Sequence, residues 1–104
     1  MTMDTYTLVV RETPTHDGID ADVLGEDGLV EETTQVAYED YDLMAERENG
    51  GPVPIETEFT VDTQTLELQL HRDERTFRFH VIADDEQVAE ATVTDTDWNL
   101  VHTE

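Results

Sequence analysis

The chain has 104 residues, 27 acidic and five basic side chains, and a formal net charge of −22 at pH 7. It contains no cysteine, lysine or serine, which excludes disulfides, thiolate metal sites, Schiff-base chemistry and the usual acyl-transfer nucleophiles. The length fits one domain over residues 1–104 with a modest core. Because no glycine-rich phosphate loop and no metal-ligand spacing occurs, we expect no cofactor, no metal and no catalytic residues.

The acidic excess also bears on partners and on location. Nucleic acids and anionic membranes are bound through Lys and Arg, so we expect neither as a partner. No apolar run approaches the roughly 18 residues of a membrane span. The first residues, Met1–Asp4, lack the basic and apolar regions of a signal peptide. A cytoplasmic protein is the expectation.

The acids are spread evenly along the chain, with 6, 8, 6 and 7 in successive quarters. This spread predicts a folded domain with an acidic shell, whereas a nucleic-acid mimic would concentrate its acids on one face. Molar salt shortens the screening length to about 3 Å and removes most of the repulsion in such a shell. The composition resembles that of haloarchaeal cytoplasmic proteins, a resemblance of habitat that carries no function.

The first half of the chain begins with two segments of alternating residues. They predict strands near 5–12 and 19–24, joined by a loop. Residues 29–47 place acidic side chains on one helical arc and apolar ones on the other, which predicts an amphipathic helix. Thr33 and Thr34 favour a strand instead. The alternative is therefore a strand near 29–38 followed by a short helix at 41–48.

The second half predicts a four-strand antiparallel meander with one apolar face. We expect an α+β fold in the order ββαββββ, with the helix packed on the sheet, or a mostly-β fold with one short helix. The four strands are expected near 55–62, 65–72, 75–83 and 87–95.

Parity suggests a register for two of these strands. Leu66, Leu68 and Leu70 must share a face with Phe77, Phe79 and Val81. A two- or four-residue loop would set Leu70 against Phe77 and Leu68 against Phe79. A three-residue turn at 84–86 would then set Ile82 against Val88.

The same register brings three polar side chains into one row, Glu67, His80 and Glu90. This cluster suits a carboxylate–imidazole acid/base pair or part of a metal site. The alternative is a solvated face, on which any histidine has acidic neighbours. In this register His71 lies about 13 Å from His80, too far to share a metal.

Three apolar residues are candidates for contact with a partner. Ile82 and Val88 form a patch beside His80 on the polar face. Trp98 lies in an acidic tail and could anchor a partner, or it could fold back and cap the core together with Leu100.

The runs Thr76-Phe77-Arg78-Phe79-His80-Val81 and Gln87-Val88-Ala89-Glu90-Ala91-Thr92 resemble the last two strands of hotdog-fold acyl-CoA thioesterases. That resemblance implies a long helix followed by four strands. It also implies a thioesterase or ligand-binding site at a dimer interface.

Two functions follow as hypotheses. The first is a small, salt-adapted cytoplasmic domain without enzymatic activity, which associates with itself as a homodimer or with a protein partner through a sheet edge or the Ile82/Val88 patch. The second is a hotdog-like acyl-CoA thioesterase or small-ligand-binding domain. A filled core without a cleft favours the first, and a deep pocket with a converging carboxylate favours the second.

Overall fold

The computed structural model describes residues 3–45, 53–62 and 65–103, and these are nearly all β-strand. A single turn of 3₁₀-helix, Tyr38–Tyr41, is the helical element of this part of the chain, and no helix there is long and apolar enough to cross a membrane. The strands are β1 (Asp4–Glu12), β2 (Gly18–Leu24), β3 (Val30–Ala37), β4 (Leu43–Ala45), β5 (Ile55–Val61), β6 (Leu66–Asp73), β7 (Thr76–Ala83), β8 (Glu86–Thr94) and β9 (Leu100–His102).

The predicted amphipathic helix over 29–47 is wrong, and with it the α+β class and the order ββαββββ. Residues 30–37 form β3, which pairs with β2. Thr33 donates to Asp22 Oδ1 at 2.6 Å, and Gln35 donates to Asp20 Oδ1 at 2.9 Å. These cross-strand bonds and the adjacent β-branched residues Thr33 and Thr34 favour a strand. The segment nevertheless also has the periodicity of a helix.

The mostly-β alternative is closer to the structure. Its strand near 29–38 corresponds to β3, but the 3₁₀ turn precedes residue 41 and β4 occupies 43–45 where a short helix was predicted. Residues 46–48 of that predicted helix lie outside the described residues.

The strands form two main antiparallel sheets that pack face to face as a sandwich. The first sheet has the order β3-β2-β1-β5, the second has the order β6-β7-β8, and β4 pairs with β9. The predicted four-strand meander is therefore only three strands long, because β5 leaves it to pair with β1. β3 lies beside β6, and β5 lies beside β8, across the sandwich.

One apolar cluster fills the space between the sheets. Most strands contribute inward-facing residues to it, which alternate with outward-facing ones as the pleat requires, and the leucines of β6 are only partly buried against it. The buried members are Leu8, Val10, Ile19, Ala21, Val23, Val36, Tyr38, Leu43, Phe59, Phe77, Phe79, Val81, Ala91, Val93, Trp98 and Leu100.

The face-sharing predicted for the β6–β7 hairpin is confirmed, but its register is wrong by two residues. Leu70 lies opposite Phe79 and Leu68 opposite Val81. The turn consists of Glu74 and Arg75, one position further along than the two-residue turn predicted. Parity fixes which face is buried but permits shifts of two, and the turn itself decides between them.

The β7–β8 hairpin has the predicted pairing at His80 but a different turn. His80 lies opposite Glu90, as predicted. The turn has two residues, Asp84 and Asp85, both with positive φ (48° and 70°). A bulge beside Ile82 then adds the odd residue, so Ile82 faces Gln87 and not Val88.

One end of the sandwich contains a buried ion pair between Arg72 and Asp95. We call this end the capped end. Arg72 faces inward near the end of β6, and its guanidinium holds both oxygens of Asp95 at 2.8 and 3.0 Å. The guanidinium carbon lies 4.2 Å from the centre of the Phe77 ring, and the Tyr41 ring meets Phe77 edge-on at 5.1 Å. Bidentate geometry and ring stacking compensate the desolvation of this pair.

We expect Arg72→Met to lower the free energy of unfolding by about 3 kcal/mol, because Asp95 keeps a buried, uncompensated charge. The double variant Arg72→Met/Asp95→Leu should recover most of that loss. The control is Arg78→Met, since Arg78 and Asp73 are about half exposed and such pairs contribute less than about 1 kcal/mol. Urea unfolding in 2 M KCl, a concentration of the order that suppresses long-range repulsion, measures all three. Equal losses for Arg72→Met and Arg78→Met would contradict this role of Arg72.

Candidate functional site

The row predicted from the sequence is only partly assembled. The imidazole Nδ1 of His80 lies 3.5 Å from Glu90 Oε2 and 2.6 Å from Gln87 Oε1. Glu67 lies opposite Ile82, so the register shift separates it from the position facing His80. Its carboxylate accepts a long hydrogen bond from Gln69 at 3.5 Å. The cluster lies on the open outer face of β6–β8.

The same shift corrects the predicted separation of two histidines. His71 and His80 are diagonal neighbours, with ring centroids 6.2 Å apart and rings nearly perpendicular. Among residues 3–45, 53–62 and 65–103, no group of three or more His, Asp and Glu side chains could hold a metal ion.

The three candidate partner contacts fall into two environments. Trp98 is 4% exposed and, with Leu100, belongs to the core, the position that the capping role requires. Ile82 and Val88 are half-buried, and the bulge keeps them from lying opposite each other.

A second cluster, at the capped end, is more completely built. Glu12 ends β1 on the inward side, the parity of Leu8 and Val10, and its side chain is 4% exposed. Tyr38 donates its hydroxyl to Glu12 Oε2 at 2.8 Å, and His16 Nδ1 lies 2.5 Å from Glu12 Oε1. A carboxylate in this position requires such partners, because burying it unpaired is costly.

The loop between β1 and β2 holds His16 in place. His16 has a left-handed backbone (φ 60°), and its N–H donates to the carbonyl of Thr13. The hydroxyls of Thr13 and Thr15 both donate to Asp17 Oδ1, at 2.7 and 2.6 Å. The bond from Thr15, then that from Thr13, lowers the pKa of Asp17. Asp17 therefore stays ionised at neutral pH.

Gly18 anchors the other side of this loop. A Cβ at Gly18 would meet the carbonyl oxygen of Val36 at 2.2 Å, so only glycine allows β3 to approach so closely. This close approach places Tyr38, the residue that follows β3, where its hydroxyl reaches Glu12.

A cleft of about 400 Å³ opens beside this cluster, within the size range of small-molecule sites. Its lining combines apolar side chains, among them the half-exposed Met44, with polar ones. The lining residues are Thr15, His16, Asp17, Ala37, Tyr38, Glu39, Leu43, Met44 and Ala45.

At the opposite end of the first sheet, burial and acidic side chains affect the pKa of Tyr6. Tyr6 lies beside a shallow depression lined by Asp4, Glu26 and Glu31. Burial first, and then the negative charges of Asp4, Glu31 and Glu26, raise the pKa of Tyr6. Burial and the neighbouring carboxylates thus both disfavour the ionised form of Tyr6.

Comparisons with known proteins identify no relative. No protein-family model matches the chain, and neither a curated protein nor a solved structure matches it.

The cluster of Glu12, His16 and Tyr38 is not among the sites predicted from the sequence. One signal could have pointed to it, because Glu12 continues the inward parity of Leu8 and Val10 and an acid there needs a partner. The partner could not be found from local patterns, since Tyr38 is 26 positions away and reaches Glu12 only when β3 pairs with β2.

The Asp17 carboxyl provides a test of the loop geometry. Its lowered pKa means that ionised Asp17 stabilises the fold above the carboxyl's unfolded pKa, and that this contribution is lost as the pH falls through the folded pKa. We expect Thr15→Ala to raise the pKa of Asp17 toward its ordinary value, because one hydrogen bond to the charged form is lost. Carboxyl ¹³C NMR titration measures it. Thr92→Ala, on the exposed face of β8, is the control, and an unchanged pKa in Thr15→Ala would contradict the loop geometry.

Proposed function

We propose that this protein is a non-enzymatic association domain of a high-salt cytoplasm, and that it pairs with a second copy of itself through the edge of β6 to which no described strand is hydrogen-bonded. The proposal assigns it no nucleic acid, membrane or cofactor. The long helix implied by the hotdog resemblance is absent from residues 30–45, where the structure has β3, a 3₁₀ turn and β4. A thioesterase site of that type therefore has no support in the fold.

The observation that carries the proposal is the incomplete burial of β6. Among the described strands, β6 hydrogen-bonds only to β7. Its inward leucines, Leu66, Leu68 and Leu70, are only half-buried, whereas Phe79 and Val81 beside them are fully buried. A long edge strand with partly exposed apolar side chains and backbone groups unpaired with a neighbouring strand is a template for pairing.

The sandwich itself does not cover these leucines well. β3 lies beside β6, and its inward positions opposite Ala21 and Val23 are Thr34 and Glu32. A polar strand leaves apolar surface in contact with water, which a matching apolar strand would remove.

The sequence of β6 is self-complementary when two copies run antiparallel around Gln69. Leu68 then lies opposite Leu70 of the second copy, and Glu67 lies opposite His71 of the second copy. A shift of two in one direction would set Glu67 against Asp73, two like charges. A shift in the other direction would set Glu67 against Gln69 and lose the charge complementarity. The last shift would pair all three leucines, but of the three registers only the pairing around Gln69 sets Glu67 against His71, and we take that register for the test.

Concentrated salt favours this association in two ways. Each copy carries a net charge of −22, and in molar salt the repulsion between two copies is screened beyond about 3 Å. Many salts that are excluded from protein surfaces also strengthen apolar burial. The acidic shell and the apolar edge therefore suit the same environment.

Engineered cysteines test the proposal in a chain that has none of its own. Two Gln69 positions facing each other lie about 5 Å apart between Cα atoms, within the range of a disulfide. We expect Gln69→Cys to form a covalent dimer on mild oxidation in about 2 M KCl, where repulsion is screened. Glu67→Cys should not, because its two copies would lie about 14 Å apart. Gel electrophoresis without reductant distinguishes them.

The oligomeric state of the unmodified chain completes the test. Sedimentation equilibrium in the same salt should give a dimer, and Leu68→Lys should give a monomer, since an edge lysine blocks strand pairing. Thr92→Lys adds the same charge on the exposed face of β8 and should remain dimeric. A wild-type monomer, or equal cross-linking of both cysteine variants, would reject pairing through β6.

A further inference from the structure

We propose that the capped-end cleft binds a small organic cation, an ammonium group carried on a short apolar tail. This site is separate from the β6 edge and does not depend on dimer formation.

The polar lining of the cleft is suited to an ammonium group. Asp17 and Glu39 belong to it, and no Lys or Arg is among the described lining residues. The two threonine hydroxyls both donate to Asp17 Oδ1, so Oδ2 accepts no side-chain hydrogen bond from the described residues. Its lowered pKa keeps the carboxylate charged. A fixed carboxylate with one open oxygen can accept a charge-assisted hydrogen bond without reorganising.

His16 also lines the cleft. In the neutral tautomer whose Nδ1–H donates to Glu12 Oε1, the other ring nitrogen, Nε2, is an acceptor. The buried Glu12 carboxylate orients the imidazole, and Tyr38 holds the other oxygen of Glu12. The histidine is thus positioned by a carboxylate that does not itself need to contact the ligand.

The apolar part of the lining is suited to an apolar tail. It includes Ala37, Ala45 and Met44, whose side chain is half exposed. Methionine adapts to differently shaped apolar groups and packs well against aromatic rings. An anionic ligand would meet Asp17 and Glu39, and a purely apolar one would leave these carboxylates without a counter-charge. An amphipathic cation suits both kinds of lining residue.

Three probes of the same shape separate these contributions: 2-phenylethylammonium, 2-phenylethanol and 3-phenylpropionate. We expect the cation to bind saturably in about 2 M KCl, where non-specific attraction to the acidic surface is screened. NMR should show shifts at the Met44 methyl group and the His16 ring. The alcohol should bind up to about fivefold more weakly, because it lacks the direct charge contact, and the carboxylate should not bind, because its charge is repelled.

Variants locate the site. Glu39→Gln and Met44→Thr should each weaken binding of the cation about fivefold, whereas Glu56→Gln, an exposed acid on β5, should leave it unchanged. All three positions are exposed, so the fold is retained. Leu68→Lys should bind the cation like the wild type, which separates this result from the test of the dimer.

Three results would overturn the proposal: equal binding of the three probes, equal effects of Glu39→Gln and Glu56→Gln, or a cation preference that disappears when the salt is raised to about 2 M. The last result would show that the cation is held only by the general attraction of an acidic protein for counter-ions.

Discussion

The structure depends on one constraint, the alternation of inward and outward side chains along each strand. With 27 acids and five arginines, the chain cannot neutralise its charges in pairs, so it must place nearly all of them in solvent. A two-layer sandwich does this with short strands, because each residue that enters the core is followed by one that leaves it. Leu8 and Val10 in β1 and Phe77 and Phe79 in β7 are fully buried on this pattern.

The constraint is relaxed at the capped end, where two carboxylates point inward. Asp95 is held by Arg72, and Glu12 is held by Tyr38 and His16. Both carboxylates are satisfied by partners from other elements, Arg72 on β6 for Asp95 and the 3₁₀ turn and the β1–β2 loop for Glu12, as buried charges must be. The small β4–β9 sheet lies at the same end. The loop and turn residues around Glu12 leave the cleft there, so the site arises where regular alternation stops.

Alternation and parity predicted most of the strands and which residues share a face, but they could not settle three features. Residues 30–37 satisfy both a helical and a strand period, and the choice depends on pairing with β2, which the local sequence does not contain. The β6–β7 register could shift by two without exposing an apolar residue, so the position of its turn was undetermined. The partnership of Glu12 with Tyr38 needs the assembled sheet, since only the close approach at Gly18 brings the two together.

We expect the acidic shell to oppose folding in dilute buffer. Thermal unfolding followed by circular dichroism across a potassium chloride series tests this expectation. The midpoint should rise steeply from about 0.05 M and then level off near 1 M, where the screening length is about 3 Å. Sodium chloride should act alike, because screening depends on ionic strength. A midpoint that stays constant between about 0.05 and 2 M salt would contradict the account, since the repulsion among the acids would then have no measurable effect on the fold.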